Sequence, residues 1–114
     1  MAVLVTGGFG YIGSHITKII EDEVIVLDNL SNSNLDYKNI FPNLNVYIDD
    51  LTYESSSKIF QKHNIKSVIH LAGSKSVDAS IKKPLIYYHN NVTASVELLR
   101  SMIAHNINNL LFSS

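Results

Sequence analysis

Residues 1–28, MAVLVTGGFGYIGSHITKIIEDEVIVLD, decide the fold of this chain. The apolar run Ala2 to Val5 is typical of a strand buried on both faces, and the glycines after it are spaced where a chain turns sharply into a helix. A second apolar run, Val24 to Leu27, stops at Asp28, about twenty residues after the first glycine. The stretch therefore predicts a strand, a glycine turn, a helix and a second strand.

The glycine turn has the spacing of a phosphate-binding loop. Gly7 or Gly8 permits the tight turn out of the strand. Gly10 lets the backbone approach a pyrophosphate, and Gly13 lets the helix pack against the strand. The helix then begins with free N–H groups directed at the phosphates. We therefore predict a dinucleotide site, with a glycine-rich turn that binds nothing as the alternative.

Asp28 indicates which dinucleotide is bound. Its carboxylate can accept hydrogen bonds from both ribose hydroxyls of an adenosine and would repel a 2′-phosphate, which favours NAD over NADP. The next residues are predicted to surround the adenosine, although an ordinary asparagine-rich loop explains positions 31–33 equally well. They are Asn29, Leu30, Ser31, Asn32 and Ser33.

The composition limits the class of protein. With 114 residues, 46% of them apolar and 17% charged, the chain suits one small globular domain. A net charge of -1 gives no sign of binding to nucleic acid or to anionic membranes. There is no cysteine and the five histidines lack metal-ligand spacing, so we expect no disulfide and no metal. No N-terminal targeting segment is recognisable, and we expect a cytoplasmic protein.

Strands and helices alternate along the rest of the chain. This alternation predicts an α/β fold, a doubly wound parallel sheet with helices on both faces. By analogy with dinucleotide-binding sheets of Rossmann type, we expect about five strands in the order 3-2-1-4-5. A bound cofactor would lie across the carboxyl ends of the strands, at the switch between strands one and four. The remaining predicted elements are a strand at 45–48, a helix from 53 to about 63, a strand at 67–71, a helix from 84 to about 106 and a fifth, buried strand at 109–114.

Three features of these elements concern the core. The helix at 53–63 is predicted to bury Ile59 and Phe60. His70 lies in a buried strand, where a hydrogen-bonded core histidine is favoured over a metal ligand. Apolar residues of the last helix repeat at three- and four-residue spacing and are predicted to form a buried stripe. The stripe consists of Leu85, Tyr88, Val92, Val96, Leu99 and Ile103.

Asp50 and Leu51 follow the third predicted strand. Because that end of a parallel strand lies on the ligand side of the sheet, Asp50 could accept a hydrogen bond from an adenine amino group while Leu51 covers the ring. Asp50, or Thr52, could instead cap the next helix. The residues alone support these two roles of Asp50 equally.

Two later positions are further candidates for cofactor contacts. Small residues at 72–74 allow close approach of a cofactor, and Lys75 could reach a ribose or a phosphate, although a loop lysine is most often only solvated. Asn90 lies inside a predicted helix, where asparagine is a poor helix former. Its amide could face the cofactor, or it could be an ordinary surface residue.

Five blocks of sequence, in order along the chain, resemble the extended short-chain dehydrogenases and, within that family, the UDP-glucose 4-epimerases. The blocks that contain Ala-Gly-x-Lys and Lys-Pro-Leu-x-Tyr-Tyr are far more specific than the glycine motif. The five are VTGGFGYIGSH at 5–15, LDNLSN at 27–32, VIHLAGSKSV at 68–77, KPLIYYHNNV at 83–92 and LFSS at 111–114.

The resemblance implies NAD as the cofactor, and it assigns cofactor contacts that the residues alone leave open. By this resemblance, the adenosine ribose lies against Asp28 to Ser33 and the adenine lies at Asp50 and Leu51. Asn90 makes a further contact with the cofactor. The pyrophosphate turn holds Gly7, Gly10, Tyr11, Ile12 and Gly13, and the residues beside the nicotinamide ribose are Leu71, Ala72, Gly73, Ser74 and Lys75.

The resemblance also implies a reaction, the interconversion of UDP-glucose and UDP-galactose through a 4-keto sugar, in a homodimer that binds a UDP-sugar. The family's base is a tyrosine in a Tyr-x-x-x-Lys motif, assisted by a serine or threonine at the position that would follow Ser114. The motif does not occur in the 114 residues, so no catalytic residue is assigned. We expect residues 1–114 to be a partial NAD-binding domain, cut before the substrate domain and inactive alone.

The sequence departs from the family pattern in two further places. The turn at 21–23 is Glu-Asp-Glu where the family has residues of Gly-His type, and the segment between Asp28 and Val46 is short. Two other interpretations stay open. The chain could come from another NAD-dependent sugar-nucleotide epimerase or dehydratase, because the cofactor half is widely shared. It could also be a non-catalytic nucleotide-binding module or a gene remnant.

Overall fold

The computed structural model describes residues 1–7, 22–29, 45–71 and 84–112, and for residues 84–91 it describes the backbone only. Five strands and two helices lie in these ranges. They are β1 (Ala2–Thr6), β2 (Glu23–Asp28), β3 (Asn45–Ile48), α1 (Tyr53–Lys62), β4 (Ile65–His70), α2 (Pro84–Ala104) and β5 (Leu110–Phe112). The helix predicted after the glycine turn lies outside the described residues.

The five strands form one sheet in which every pair is parallel, in the order β3-β2-β1-β4-β5. This confirms the predicted order. The first strand of the chain is the central one, because β1 pairs with β2 on one side and with β4 on the other. All five residues of β1 are buried, as its unbroken apolar sequence predicts.

The side chains of the sheet alternate between two apolar clusters, one on each face. On the first face, Leu4, Ile25 and Val68 pack with α1 and α2 through Ile59, Phe60, Leu98 and Met102. The burial of Ile59 and Phe60 confirms the predicted apolar side of α1. The second cluster contains Val3, Val5, Val24, Val26 and Leu71.

Helix α1 begins at a capping box. The Thr52 hydroxyl accepts a hydrogen bond from the Ser55 N–H at 3.0 Å, and the Ser55 hydroxyl accepts one from the Thr52 N–H at 2.9 Å. Two N–H groups that a helix start leaves unpaired are thereby satisfied. Of the two predicted caps, Thr52 is therefore the N-cap of α1 and Asp50 is not.

A pair of buried serines joins α1 to α2. The Ser56 and Ser101 hydroxyl oxygens lie 2.6 Å apart, and both side chains are fully buried. Each hydroxyl also lies within hydrogen-bond distance of a carbonyl of its own helix region, Ser56 at 2.7 Å from Thr52 and Ser101 at 2.8 Å from Leu98. Because a hydroxyl has one proton, one serine donates across the pair and the other donates to its carbonyl. The neighbouring Ser57 is also buried, but among the residues that the structure describes its hydroxyl has no hydrogen-bond partner.

His70, the last residue of β4, connects three elements from inside the core. Its Nδ1 lies 2.7 Å from the Thr6 hydroxyl on β1, and its Nε2 lies 3.0 Å from the Ser95 hydroxyl on α2. A hydroxyl can donate or accept, so a neutral imidazole is satisfied at both nitrogens in either tautomer. The prediction of a hydrogen-bonded core histidine is confirmed.

The buried side of α2 is not the predicted stripe. Leu98, Ser101 and Met102 are buried, whereas Val92, Val96, Leu99 and Ile103 are exposed, Ile103 to 76%. The α2 helix is apolar on two sides, and the side that faces the sheet carries Ser101 in place of a large apolar residue. The three- and four-residue spacing of apolar residues is found on the exposed side of α2, so the prediction that this stripe is buried was wrong. Leu85 and Tyr88 fall among the residues for which the structure describes the backbone only.

Strand β5 also differs from its prediction. It was predicted to be buried, but Leu110, Leu111 and Phe112 are all exposed, Leu111 to 62%. Within the described residues β5 pairs only with β4, because it lies at the edge of the sheet. Phe112 keeps one core contact, a tilted ring contact with His70 at 5.3 Å between centroids.

The buried serines of α1 provide a matched test of hydrogen bonding. Both Ser56→Ala and Ser57→Ala exchange a buried serine for alanine at adjacent helical positions, so the change in helix propensity is common to both. Only Ser56→Ala removes hydrogen bonds. We expect its free energy of unfolding, measured by urea denaturation, to fall about 1 kcal/mol below that of Ser57→Ala. Equal stability of the two variants would contradict this assignment.

His70→Leu tests the connection between β1, β4 and α2. It removes two hydrogen bonds from buried groups at once, and we expect it to lower the free energy of unfolding by about 2–4 kcal/mol. The control is His105→Leu, because His105 is half-buried and its Nδ1 lies 2.8 Å from the Ser101 carbonyl of its own helix region, so its side-chain hydrogen bond joins no separate elements. Leucine can keep the apolar contact that the His105 ring makes with Phe60. A loss for His105→Leu as large as that for His70→Leu would show that the core position of His70 is unimportant.

Candidate functional site

The candidate site lies at the ligand edge, which is the side of the sheet where the carboxyl ends of the strands meet and not one of its outer strands. Because all strands are parallel, their carboxyl ends meet at that edge, which is where open α/β sheets bind ligands. Six of the predicted contact residues are described with their side chains, and all six lie no more than three residues from a strand's carboxyl end. They are Gly7, Asp28, Asn29, Asp50, Leu51 and Leu71.

Gly7 begins the turn that leaves β1. Its φ of 76° lies in the left-handed region, where a residue with a Cβ costs about 1–2 kcal/mol. The Gly7 N–H donates to the Leu27 carbonyl at 2.9 Å, and the Leu71 N–H donates to the Thr6 carbonyl at 2.9 Å. The backbone at the centre of the edge is therefore fixed on both sides, and glycine is required where the loop starts.

Three carboxylates lie at the ends of β2 and β3. Asp28 is the half-buried last residue of β2, and Asp49 and Asp50 are exposed just after β3. Asn29 joins the two strand ends, because its Nδ2 donates to Asp50 Oδ1 at 2.9 Å. Such an arrangement offers hydrogen-bond acceptors to hydroxyl and amino groups, and its negative charge disfavours a phosphate.

Ser55 is a residue of this site that sequence reasoning missed. Its hydroxyl donates to the Asp50 carbonyl at 2.7 Å while it also closes the capping box of α1. The start of α1 therefore fixes the backbone of Asp50. The Thr-x-x-Ser spacing of residues 52–55 indicates a capping box, but nothing in that spacing indicates a contact with Asp50.

The amino-terminal part of α2 extends past this edge. Ser95 is bonded to His70, the last residue of β4, so the turns of α2 before Ser95 lie beyond the end of that strand. Asn90 precedes Ser95 by five residues, which is about 7.5 Å along a helix axis. The backbone of Asn90 is therefore on the ligand side of the sheet. The structure describes only the backbone of this residue.

The other predicted contacts are also outside the described residues. These are the turn residues Gly10, Tyr11, Ile12 and Gly13, the adenosine residues Leu30, Ser31, Asn32 and Ser33, and the nicotinamide-side residues Ala72, Gly73, Ser74 and Lys75.

The described residues contain neither a cluster of metal ligands nor a membrane-spanning helix. In the parts of the chain that the structure describes, no three histidine or acidic side chains come together as metal ligands. Neither of the described helices is at once long enough and apolar enough to cross a bilayer.

Comparison with known proteins identifies relatives along the whole chain. The UDP-glucose 4-epimerase of Yersinia enterocolitica is 44% identical over 100% of this chain and 37% of its own length. The UDP-glucose 4-epimerase of Klebsiella pneumoniae is 42% identical over 100% of this chain and 88% of its own length. The crystal structure of the Thermus thermophilus UDP-glucose 4-epimerase in complex with NAD superposes with a TM-score of 0.89 at 32% identity, over 100% of this chain and 37% of that one.

This chain therefore spans little more than a third of the length of the Yersinia and Thermus proteins. The profile of one family, described as the NAD dependent epimerase/dehydratase family, matches residues 3–114. That match takes in all five strands, both described helices and the candidate site. The chain belongs to the NAD dependent epimerase/dehydratase family.

Proposed function

We propose that this chain is the NAD-binding part of a UDP-glucose 4-epimerase. The observation that carries the proposal is the carboxyl edge of the sheet, where Gly7, with φ of 76°, follows β1, Asp28 ends β2 and Asp50 follows β3. The epimerases of Yersinia and Klebsiella, at 44% and 42% identity, support the choice of reaction. Another sugar-nucleotide epimerase or dehydratase is less well supported, because these relatives share one name.

The residues of the edge fit an NAD molecule. A Cβ at Gly7 would be strained at that φ, so the turn keeps the open backbone that a pyrophosphate needs. In the proposal, Asp28 accepts from the adenosine ribose and Asp50 accepts from the adenine amino group. The loop with Gly10, Tyr11, Ile12 and Gly13 holds the pyrophosphate, and the segment from Leu71 to Lys75 lies beside the nicotinamide ribose.

The chemistry of the proposed reaction is divided between this chain and residues outside it. Bound NAD supplies a reversible hydride acceptor for the C4 position of the sugar. This chain binds and orients the cofactor, and its edge excludes a 2′-phosphate through the charge of Asp28. No tyrosine among the 114 residues is followed by lysine four positions later, so the base belongs to the rest of the proposed enzyme.

We also propose a partner, a second copy of the same protein, at the exposed stripe of α2. Val92, Val96, Leu99 and Ile103 are exposed and follow one another at spacings of four, three and four residues. Two apolar positions in every seven is the pattern of a helix that pairs with another helix. The stripe matches itself under a two-fold axis, which is the symmetry of most dimers.

The proposed enzyme acts in the cytoplasm on a UDP-sugar. A chain without cysteine needs no oxidising compartment, which agrees with that location.

The first prediction from this function concerns cofactor choice. We expect the chain to bind NAD more tightly than NADP in isothermal titration, because Asp28 accepts from the ribose and repels a 2′-phosphate. Asp28→Ala should weaken NAD binding by about tenfold or more, since hydrogen bonds to a charged group are lost. Glu23→Ala is the control, because it removes a carboxylate from the opposite end of the same strand. If both variants bind NAD like the original chain, Asp28 has no role in binding.

The second prediction concerns assembly. Val96→Glu places a charge in the middle of the exposed stripe, and we expect it to raise the dimer dissociation constant about tenfold or more in sedimentation experiments. Gln61→Glu adds the same charge at an exposed position of α1 and should leave association unchanged. Association that survives Val96→Glu would place the contact between copies somewhere else.

A further inference from the structure

A side-chain hydrogen bond ties the end of β2 to the end of β3. Asn29 Nδ2 donates to Asp50 Oδ1 at 2.9 Å, across 21 positions of sequence. The bond spans two neighbouring strands, in which Asp28 of β2 stands opposite Ile48 of β3. Asn29 therefore lies beside the carboxylate that the proposed function assigns to adenine.

The rest of Asp50 is held from two other directions. The Ser55 hydroxyl donates to its carbonyl at 2.7 Å, and its own N–H donates to Asp49 Oδ1 at 2.8 Å. The backbone of Asp50 is thus fixed by residues on both sides of it. The remaining freedom is rotation of the carboxylate, and the Asn29 amide restricts that rotation by holding Oδ1.

The other carboxylate oxygen of Asp50 is available. Within the part of the chain that the structure describes, Oδ2 accepts no hydrogen bond, and the side chain is exposed. A carboxylate oxygen is an acceptor only, so it requires a donor as its partner. With Oδ1 held by Asn29, Oδ2 is the atom of Asp50 that can meet a ligand.

We propose that Asn29 is a positioning residue that sets base specificity through Asp50. It orients the carboxylate so that Oδ2 accepts a hydrogen bond from the exocyclic amino group of a 6-aminopurine. The inference rests on the proposed function, because it concerns the adenine end of the same cofactor site. It goes further in naming which part of the ligand is selected, and by which pair of residues.

The chemistry of an amide suits this role. An asparagine side chain donates without carrying a charge, so Asp50 keeps its full negative charge for the ligand's amino group. A lysine at position 29 would neutralise Asp50 and could reach both of its oxygens. An aspartate there would repel it.

The same geometry predicts which base is rejected. Hypoxanthine differs from adenine at C6, where it carries a carbonyl oxygen in place of the amino group. An acceptor then faces the acceptor Oδ2, and a site arranged to bond an N–H group discriminates against an analogue that lacks it. Discrimination should be strongest when Asp50 is held in one orientation.

The test compares the affinity of the chain for NAD with its affinity for nicotinamide hypoxanthine dinucleotide, by isothermal titration or ligand-observed NMR. We expect the original chain to prefer NAD, and Asn29→Ala to reduce that preference by about three- to tenfold. Asn45→Ala is the matched control. Asn45 Nδ2 donates to Glu23 Oε1 at 3.2 Å, so it forms the same kind of exposed pair between the same strands, at their amino-terminal ends. Its loss should leave the preference unchanged.

A double variant separates positioning from general damage. Once Asp50→Ala has removed the acceptor, adding Asn29→Ala should cause no further loss of preference, because Asn29 has nothing left to orient. A merely structural role would weaken both dinucleotides equally in Asn29→Ala and leave their ratio intact, which overturns the inference.

The outcomes also distinguish the two proposals. If the original chain binds both dinucleotides equally well, the inference fails while the proposed cofactor site stands. If the original chain binds neither dinucleotide at millimolar concentration, the proposed function itself fails and the inference falls with it.

Discussion

β1 forms hydrogen bonds along both of its sides because β2 and β4 run parallel to it, and the later features of the structure depend on that arrangement. A strand in this position is hidden on both faces and both edges, which explains its sequence of small and β-branched residues. Parallel pairing also places every carboxyl end on one side of the sheet. The candidate site lies on that side, and β1 is at its centre because β1 is the central strand of the sheet.

The polar contacts inside the protein connect this scaffold to the site. Thr6 is the last residue of β1 and His70 is the last residue of β4, so the Thr6–His70 hydrogen bond ties together the carboxyl ends of two strands at the ligand edge. His70 passes the connection on to Ser95 of α2. Both ring nitrogens of His70 have a hydroxyl partner, so this buried imidazole leaves no ring nitrogen unpaired where α2 approaches the sheet. Packing and site geometry are therefore parts of one network.

The sequence was sufficient for the parallel sheet and for the position of α1, because apolar runs, a threonine before a helix and alternation of elements are local signals. The order of the strands came from analogy with other dinucleotide-binding sheets. The sequence was not sufficient for α2, since both of its sides carry apolar residues and periodicity does not say which one meets the sheet. The exposure of Leu111 in β5 likewise depends on which neighbours an edge strand has.

The candidate site also has some features that the sequence predicts and others that depend on the fold. The positions of Gly7, Asp28 and Asp50 at the carboxyl edge follow from their places after apolar runs. The contact of Asn29 with Asp50 does not, because it requires the register between β2 and β3, and the contact of Ser55 requires the path of the chain between β3 and α1. The central place of β1 also has a consequence for synthesis. Its partner His70 lies 64 positions after Thr6, and a ribosome adding about 5–20 residues per second needs roughly 3 to 13 seconds to cover that distance. Throughout that interval β1, which is fully buried in the finished fold, has at least one open edge, so the nascent chain is most exposed to misassociation and to chaperones before β4 has been made.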